Sequence, residues 1–287
     1  MRIKLIVAAA VAAVMCLAPA GALAQGHAAT GKQYYLALGD SLARGAQPNT
    51  TGATVPTNKG YANDLRAIEK TKYSGLTLQQ LGCLGETTTT MMKGGICAYT
   101  AGSQLKQAVQ FLQAHQGHIA FVTIDIGAND VDNCIVNGVV DLQCVAAGEA
   151  SIQKNVPKIA AQLRKAAGPD VPLIGMTYYD PFLAAWLEGP PGQTLAGESQ
   201  ALAKAVNRLI SNGYRSAKFR VANVAQTFLT AKPFTVVTTL NGIPGVPVAV
   251  ANICNLTWMC APPPQGPNIH ANVAGYSAIA QTFAGKL

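Results

Sequence analysis

Residues 34–42 read Tyr-Tyr-Leu-Ala-Leu-Gly-Asp-Ser-Leu: an apolar run from Tyr34 to Leu38 that stops abruptly at Gly39, with the hydroxyl of Ser41 just beyond the stop. A short, nearly continuous apolar run ending at glycine is the pattern of a strand buried on both faces. The same pattern recurs at 76–81, 119–126, 171–178 and 219–224. Between these runs the spacing changes to that of helices. After Ser103, a good N-cap residue, Leu105, Ala108, Val109 and Leu112 fall at i, i+3, i+4 and i+7. Ile152, Val156, Ile159 and Leu163 form a second stripe, and Pro157 predicts that its main helix starts near Asn155. A third stripe holds Leu202, Ala205, Val206 and Leu209, and Val273, Tyr276, Ala280 and Phe283 close the chain. Strand and helix in alternation require crossover connections, so the expected fold is α/β, a central parallel sheet with helices on both sides. The exception is 230–267, rich in Pro, Gly, Val and Asn and without a helical stripe, which reads as a long irregular loop.

The chain has 287 residues, 49% of them hydrophobic and 12% charged, which excludes disorder. The longest apolar stretch, residues 5–24, directly follows Arg2 and Lys4, and no second one of membrane-spanning length follows, so a polytopic membrane protein is excluded. That stretch ends in Pro19, Gly21 and Ala22-Leu23-Ala24, the pattern of a cleaved secretory signal. The expectation is a signal peptide over 1–24, a mature start at Gln25, and one secreted domain over 25–287. Removal of the leader lowers the formal net charge from +8 to +6. No Asp or Glu follows Glu198, so the last third is purely cationic, with Lys204, Arg208, Arg215 and Lys218 at spacings of a solvated helix face. Contact with an anionic lipid interface is expected to be transient at most. Basic residues interleaved with aromatics, as in nucleic-acid binders, are missing, and no Gly-rich nucleotide motif follows a strand.

Six cysteines remain after the leader and fall into three local couples, with 13, 9 and 5 residues between partners. In an oxidising compartment this predicts disulfides Cys83–Cys97, Cys134–Cys144 and Cys254–Cys260. The first loop gains roughly 3 kcal/mol from chain entropy before strain is subtracted. The spacing is wrong for a zinc site and the four histidines are scattered, so neither metal nor cofactor is expected.

Ligands of open parallel sheets bind beyond the carboxyl ends of the strands. Four segments with reactive side chains fall there: Gly39-Asp40-Ser41-Leu42, Cys83-Leu84-Gly85-Glu86-Thr87-Thr88, Gly127-Ala128-Asn129-Asp130 and, before the last helix, Pro267-Asn268-Ile269-His270. In this order, with Ala271-Asn272 and Gly275-Tyr276 after the histidine, they resemble the SGNH (GDSL) hydrolases over essentially the whole mature chain. The resemblance implies a flavodoxin-like three-layer α/β/α sandwich and cleavage of esters, thioesters or acetylated sugars. It also implies Ser41 as nucleophile, His270 as general base, and the Gly85 N–H and Asn129 side chain as oxyanion donors beside Ser41. Three cysteine couples close to these motifs resemble secreted actinobacterial-type lipases and esterases of the family. A monomer acting on a small-molecule or lipid ester is therefore expected.

Elementary chemistry agrees with these roles. A serine hydroxyl needs a neighbouring base, and histidine titrates nearest neutrality. His27 lies at the mature terminus, and His115 and His118 precede the third strand at the far end of the sheet from Ser41. Asp40 and Asp130 suggest hydrogen bonds to loop backbone rather than a glycosidase pair, since each adjoins a residue with another task. One departure matters: many family members carry Asp three residues before the histidine, where this chain has Pro267. The backbone carbonyl of Pro267 is the expected acceptor for His270 Nδ1–H, with Asp130 or Asp132 as the alternative. Leu42, Leu84, Met91, Met92, Ile96, Trp186 and Trp258 are candidates for an acyl pocket. The competing functions are a polysaccharide O-acetyl esterase or acyltransferase, and a secreted binding protein on the same fold.

Overall fold

The structure, a computed structural model, describes residues 31–136 and 138–287. The expected leader over 1–24, the start at Gln25 and His27 lie outside the described residues. Five parallel strands form the central sheet: β1 (Tyr34–Gly39), β2 (Thr77–Gln80), β3 (Ile119–Asp125), β4 (Leu173–Met176) and β5 (Arg220–Ala222). Their order is β2-β1-β3-β4-β5, the doubly wound arrangement in which the chain reverses direction between β1 and β3. Four of the strands lie within predicted runs, with trimmed ends of the kind that fraying produces, and β1 runs one residue past its run to include Gly39. All seven residues of β3 and five of six in β1 are buried, which is why apolar residues run consecutively here rather than alternating, and the two polar residues of β3, Thr123 and Asp125, are buried and hydrogen-bonded.

Helices α1 (Tyr61–Glu69) and α8 (Val273–Ala284) pack together, while α3 (Gln104–Ala114), α4 (Leu142–Ala167) and α5 (Pro190–Ser216) pack side by side. Short α2 (Thr88–Lys93) joins α3 and α4. Ser103 caps α3 through Lys106 N–H, as its residue type suggests, and Asn272 caps α8 through Gly275 N–H. The second predicted helix starts earlier than Pro157 implied. The Asp141 carboxylate accepts from the Gln143 and Cys144 N–H groups and opens α4 at Leu142, and the helix runs on through Pro157. A proline removes one helical hydrogen bond but need not end a helix that is anchored on both sides of it. Here Val156, Ile159 and Leu163 are buried beyond the capped first turns, and Gly213 of α5 lies close against Val156 and Pro157.

The segment 230–267 is more ordered than its composition suggested. It contains an antiparallel hairpin, Val237–Leu240 with Ile243–Pro247, then helix α7 (Val248–Leu256) and a two-residue strand, Thr257–Trp258, after short α6 (Val224–Thr227). Thr257–Trp258 pairs with Asn268–Ala271. The three disulfides join Cys83 to Cys97, Cys134 to Cys144 and Cys254 to Cys260, as the spacing predicted. Lys204, Arg208, Arg215 and Lys218 are exposed. Among the described residues no helix is long and apolar enough to cross a membrane.

Candidate active site

The site begins where β1 ends. Gly39 has φ 134°, a conformation that suits glycine, and a Cβ there would overlap the Asp125 carbonyl of the adjacent β3. The chain turns sharply and presents Ser41. Asp40 secures the turn: its Oδ1 accepts from Leu42 N–H (2.9 Å) and its Oδ2 from the Tyr178 hydroxyl (2.6 Å). Asp125, at the end of β3, supports it from below by accepting from Ala43 N–H (3.1 Å) and the Tyr61 hydroxyl. Burial raises the pKa of both carboxyls, and their proximity raises that of Asp125 further. Two adjoining buried carboxyls cannot both ionise cheaply, so the pair favours holding one proton between them.

The His270 side chain reaches this turn from the short strand before α8. Its Nε2 lies 2.8 Å from Ser41 Oγ. The ring is buried, and desolvation pushes its pKa down to about 4. At neutral pH the imidazole is therefore uncharged, the state in which one ring nitrogen accepts a proton.

The other ring nitrogen corrects the sequence-based expectation. Nδ1 meets the side-chain Oδ1 of Asn268 at 2.7 Å, not the carbonyl of Pro267. The same Oδ1 accepts from the backbone N–H of His270 (3.1 Å), an Asx-type turn in which a short polar side chain reaches the backbone two residues ahead. Because Asn268 folds back over the strand in this way, its side chain occupies the place assigned to the Pro267 carbonyl. Asn268 Nδ2 in turn donates to Thr54 Oγ1 (2.9 Å), on the small hairpin Gln47–Pro48/Thr54–Val55. Neither alternative aspartate serves the histidine. Asp130 accepts from Thr88 N–H (2.8 Å) and hydroxyl (2.7 Å), and Asp132 lines the cleft without a hydrogen bond to His270.

Gly85 occupies a left-handed turn (φ 77°) closed by a hydrogen bond from Glu86 N–H to Cys83 O (3.1 Å). Among the described residues its own N–H donates to no protein group. Asn129 follows β3, and its Nδ2 donates to Glu86 O (3.0 Å), which ties the Gly85 turn to the third motif and leaves a second amide hydrogen. Ser41, Asn129 and His270 line one open cleft, although Gly85 is not part of its wall.

The cleft wall differs from the expected acyl pocket. Of the seven apolar candidates only Leu42 lines it. Met91 is in the core, Ile96 is 48% exposed, and Met92 and Trp186 pack against the core elsewhere. The apolar lining comes instead from Val131 and Ile135, from Pro181 and Phe182 of the 3-10 segment Pro181–Glu188, from Leu202, Ala203 and Val206 of α5, and from Ile269. Asp132 and Asp180 add polar groups whose pKa values desolvation lifts to about 8 and about 7.

A hydroxyl held against an uncharged imidazole, at the carboxyl edge of a doubly wound parallel sheet, is the arrangement of an α/β acylhydrolase. The model of the GDSL-like lipase/acylhydrolase family matches residues 37–278, and the chain belongs to that family. Its fold is similar to that of the extracellular lipase from Streptomyces rimosus, with a TM-score of 0.57 at 18% identity over 89% of this chain and 100% of that one. Phospholipase A1 from Streptomyces albidoflavus gives 0.56 at 16% identity over the same shares. A lipase/acylhydrolase from Enterococcus faecalis gives 0.51 at 13% identity, over 88% of this chain and 94% of that one. No protein of curated function matches the sequence.

Proposed function

We propose that the protein is a secreted serine ester hydrolase, a lipase or carboxylesterase, working as a monomeric single domain over 25–287 once the leader is removed. The observation that carries this reading is the 2.8 Å approach of His270 Nε2 to Ser41 Oγ inside an apolar cleft. His270 takes the Ser41 proton as Oγ bonds to the ester carbonyl carbon. The oxyanion is met by the Gly85 N–H, the free amide hydrogen of Asn129 and the Ser41 N–H. Each such donor is worth roughly 100- to 1,000-fold in kcat. Collapse breaks the bond to the alcohol, which leaves with the proton from His270. Water then repeats the cycle: His270 accepts its proton, hydroxyl adds to the acyl carbon, and Ser41 departs reprotonated with release of the carboxylic acid.

The apolar walls from α5, Phe182 and Ile135 favour an acyl chain over a sugar ring as the group bound in the cleft. Three disulfides and the sequence of 1–24 support an extracellular location. The test is hydrolysis of p-nitrophenyl esters from C2 to C16 by the oxidised protein beside Ser41→Ala. Turnover by the wild type alone is expected, and the chain-length optimum separates esterase from lipase. No turnover of any ester by folded protein would overturn the reading.

A further inference from the structure

We propose that Asn268 is the positioning residue of this site, standing where a triad carboxylate would stand, and that Thr54 holds it there. The proposal rests on the hydrolase reading, and its geometry fixes a protonation state that the reading alone leaves open. An asparagine side chain presents either an oxygen or an NH2 group to a neighbour, and the two atoms are assigned from their partners. Here the assignment has one solution. The backbone N–H of His270 can only donate, so the Asn268 atom 3.1 Å from it is the oxygen. The same oxygen faces His270 Nδ1 at 2.7 Å, so Nδ1 carries the hydrogen. Nε2 is then the unprotonated nitrogen, and it is the one 2.8 Å from Ser41 Oγ. The NH2 end is used too, donating to Thr54 Oγ1 at 2.9 Å.

The chain Ser41, His270, Asn268, Thr54 contains no formal charge. A carboxylate against Nδ1 fixes the tautomer and also stabilises imidazolium. An amide oxygen does the first with only a dipole for the second. The other titratable groups around the ring do not substitute for it. Asp40 is engaged by Leu42 N–H and the Tyr178 hydroxyl, Asp180 by Ser199 and Phe182 N–H, and the Tyr179 hydroxyl donates to Ile269 O. Asp132 faces the same cleft without bonding the histidine. The base is thus oriented by a neutral partner and kept from holding a proton at rest.

Three variants and one spectroscopic measurement test this. Asn268→Asp keeps an acceptor oxygen for both His270 donors and adds charge, so the acid limb of kcat/KM is expected to move at least one pH unit upward with alkaline kcat within about tenfold of wild type. Asn268→Ala frees the tautomer. Its kcat should fall on the order of 100-fold with KM unchanged, a loss within the range general base catalysis contributes. Thr54→Val should give a smaller loss in the same direction. Imidazole 15N NMR of the wild type should show hydrogen on Nδ1 of His270, with mixed tautomers in Asn268→Ala. An acid limb that is the same in wild type and Asn268→Asp, or hydrogen on Nε2 in the wild type, would overturn the proposal. Failure of the hydrolase reading is distinguishable: the wild type would then turn over no ester and would not react at Ser41 with a fluorophosphonate, while the NMR measurement still decides the tautomer.

Discussion

Gln104, at the start of α3, satisfies both backbone groups of Gly39: its Oε1 accepts from the Gly39 N–H (2.7 Å) and its Nε2 donates to the Gly39 carbonyl (2.9 Å). Nε2 also lies 2.9 Å from Glu86 Oε2, so one buried amide joins the end of the nucleophile strand to the turn that carries Gly85. Gln104→Leu leaves the Gly39 N–H and a Glu86 oxygen without these partners. The expected cost is roughly 2 to 3 kcal/mol, about 4–6 °C in Tm for a domain of this size, with kcat falling alongside. Thermal unfolding followed by circular dichroism checks it. An unchanged Tm would mean that solvent or neighbouring groups replace Gln104 without cost.

The pKa of His270 sets an acid limit on activity. With burial holding the ring near pH 4, the general base stays unprotonated well below neutrality. On a neutral ester, kcat/KM is expected to be flat from pH 8 to about 5 and to halve near pH 4. A midpoint near 6.5, the ordinary histidine value, would show that the ring is solvated in the working enzyme.

Stability should respond to alkali through the cleft carboxyls. Asp180 is buried, and its pKa is lifted to about 7, mainly by desolvation; Asp132 is lifted to about 8. A carboxyl with a raised pKa contributes stability that is complete below its unfolded value and is lost as pH rises through its folded value. His270, with a lowered pKa, acts oppositely, but its contribution is lost only as pH falls from 6.5 towards 4. Above pH 6.5 the carboxyls alone operate, so Tm should decline from pH 6.5 to 9. Asp180→Asn preserves the acceptor that caps the 3-10 segment at Phe182 N–H and should flatten the decline. A slope identical to that of wild type would exclude Asp180 as its source.

Each disulfide closes a segment beside the site rather than the sheet itself. Cys83 precedes Gly85 by two residues, Cys134 adjoins Ile135 of the cleft wall, and Cys254–Cys260 spans the strand that pairs with Asn268–Ala271. Under graded reductant, ester turnover should fall before far-ultraviolet ellipticity does. Coincident loss of both would show that the staples hold the core instead of the rim.

The five sheet strands, the Ser103 cap and the cysteine couples were legible in the sequence because each is a local signal: a run, a cap residue, a spacing. Ser41 and His270 were legible because each stands beside a recognisable boundary between elements. What escaped depended on distance or competition. The start of α4 escaped because Pro157 is conspicuous and the capping Asp141 is not. Helix α7 was hidden because nine residues, Val248–Leu256, give only two turns and include β-branched residues suited equally to a strand. The cleft lining escaped because Phe182, Leu202 and Val206 share a cleft with Ser41 only once the 3-10 segment and α5 pack together. Asn268 was in plain view, but its partner Thr54 lies 214 positions earlier, beyond any local pattern.

The hairpin that carries Thr54 belongs to the same connection that begins at Ser41, between β1 and α1. His270 and Asn268 are therefore gripped between two points of one stretch of chain, hydroxyl at one end and hydroxyl at the other. The base takes its alignment from the connection that bears the nucleophile as well as from Thr257–Trp258, which pairs with its own strand. Slack or insertion in the largely exposed hairpin Val237–Leu240/Ile243–Pro247 lies ahead of the Cys254–Cys260 staple and outside that bracket, so it would leave the distance from nucleophile to base fixed.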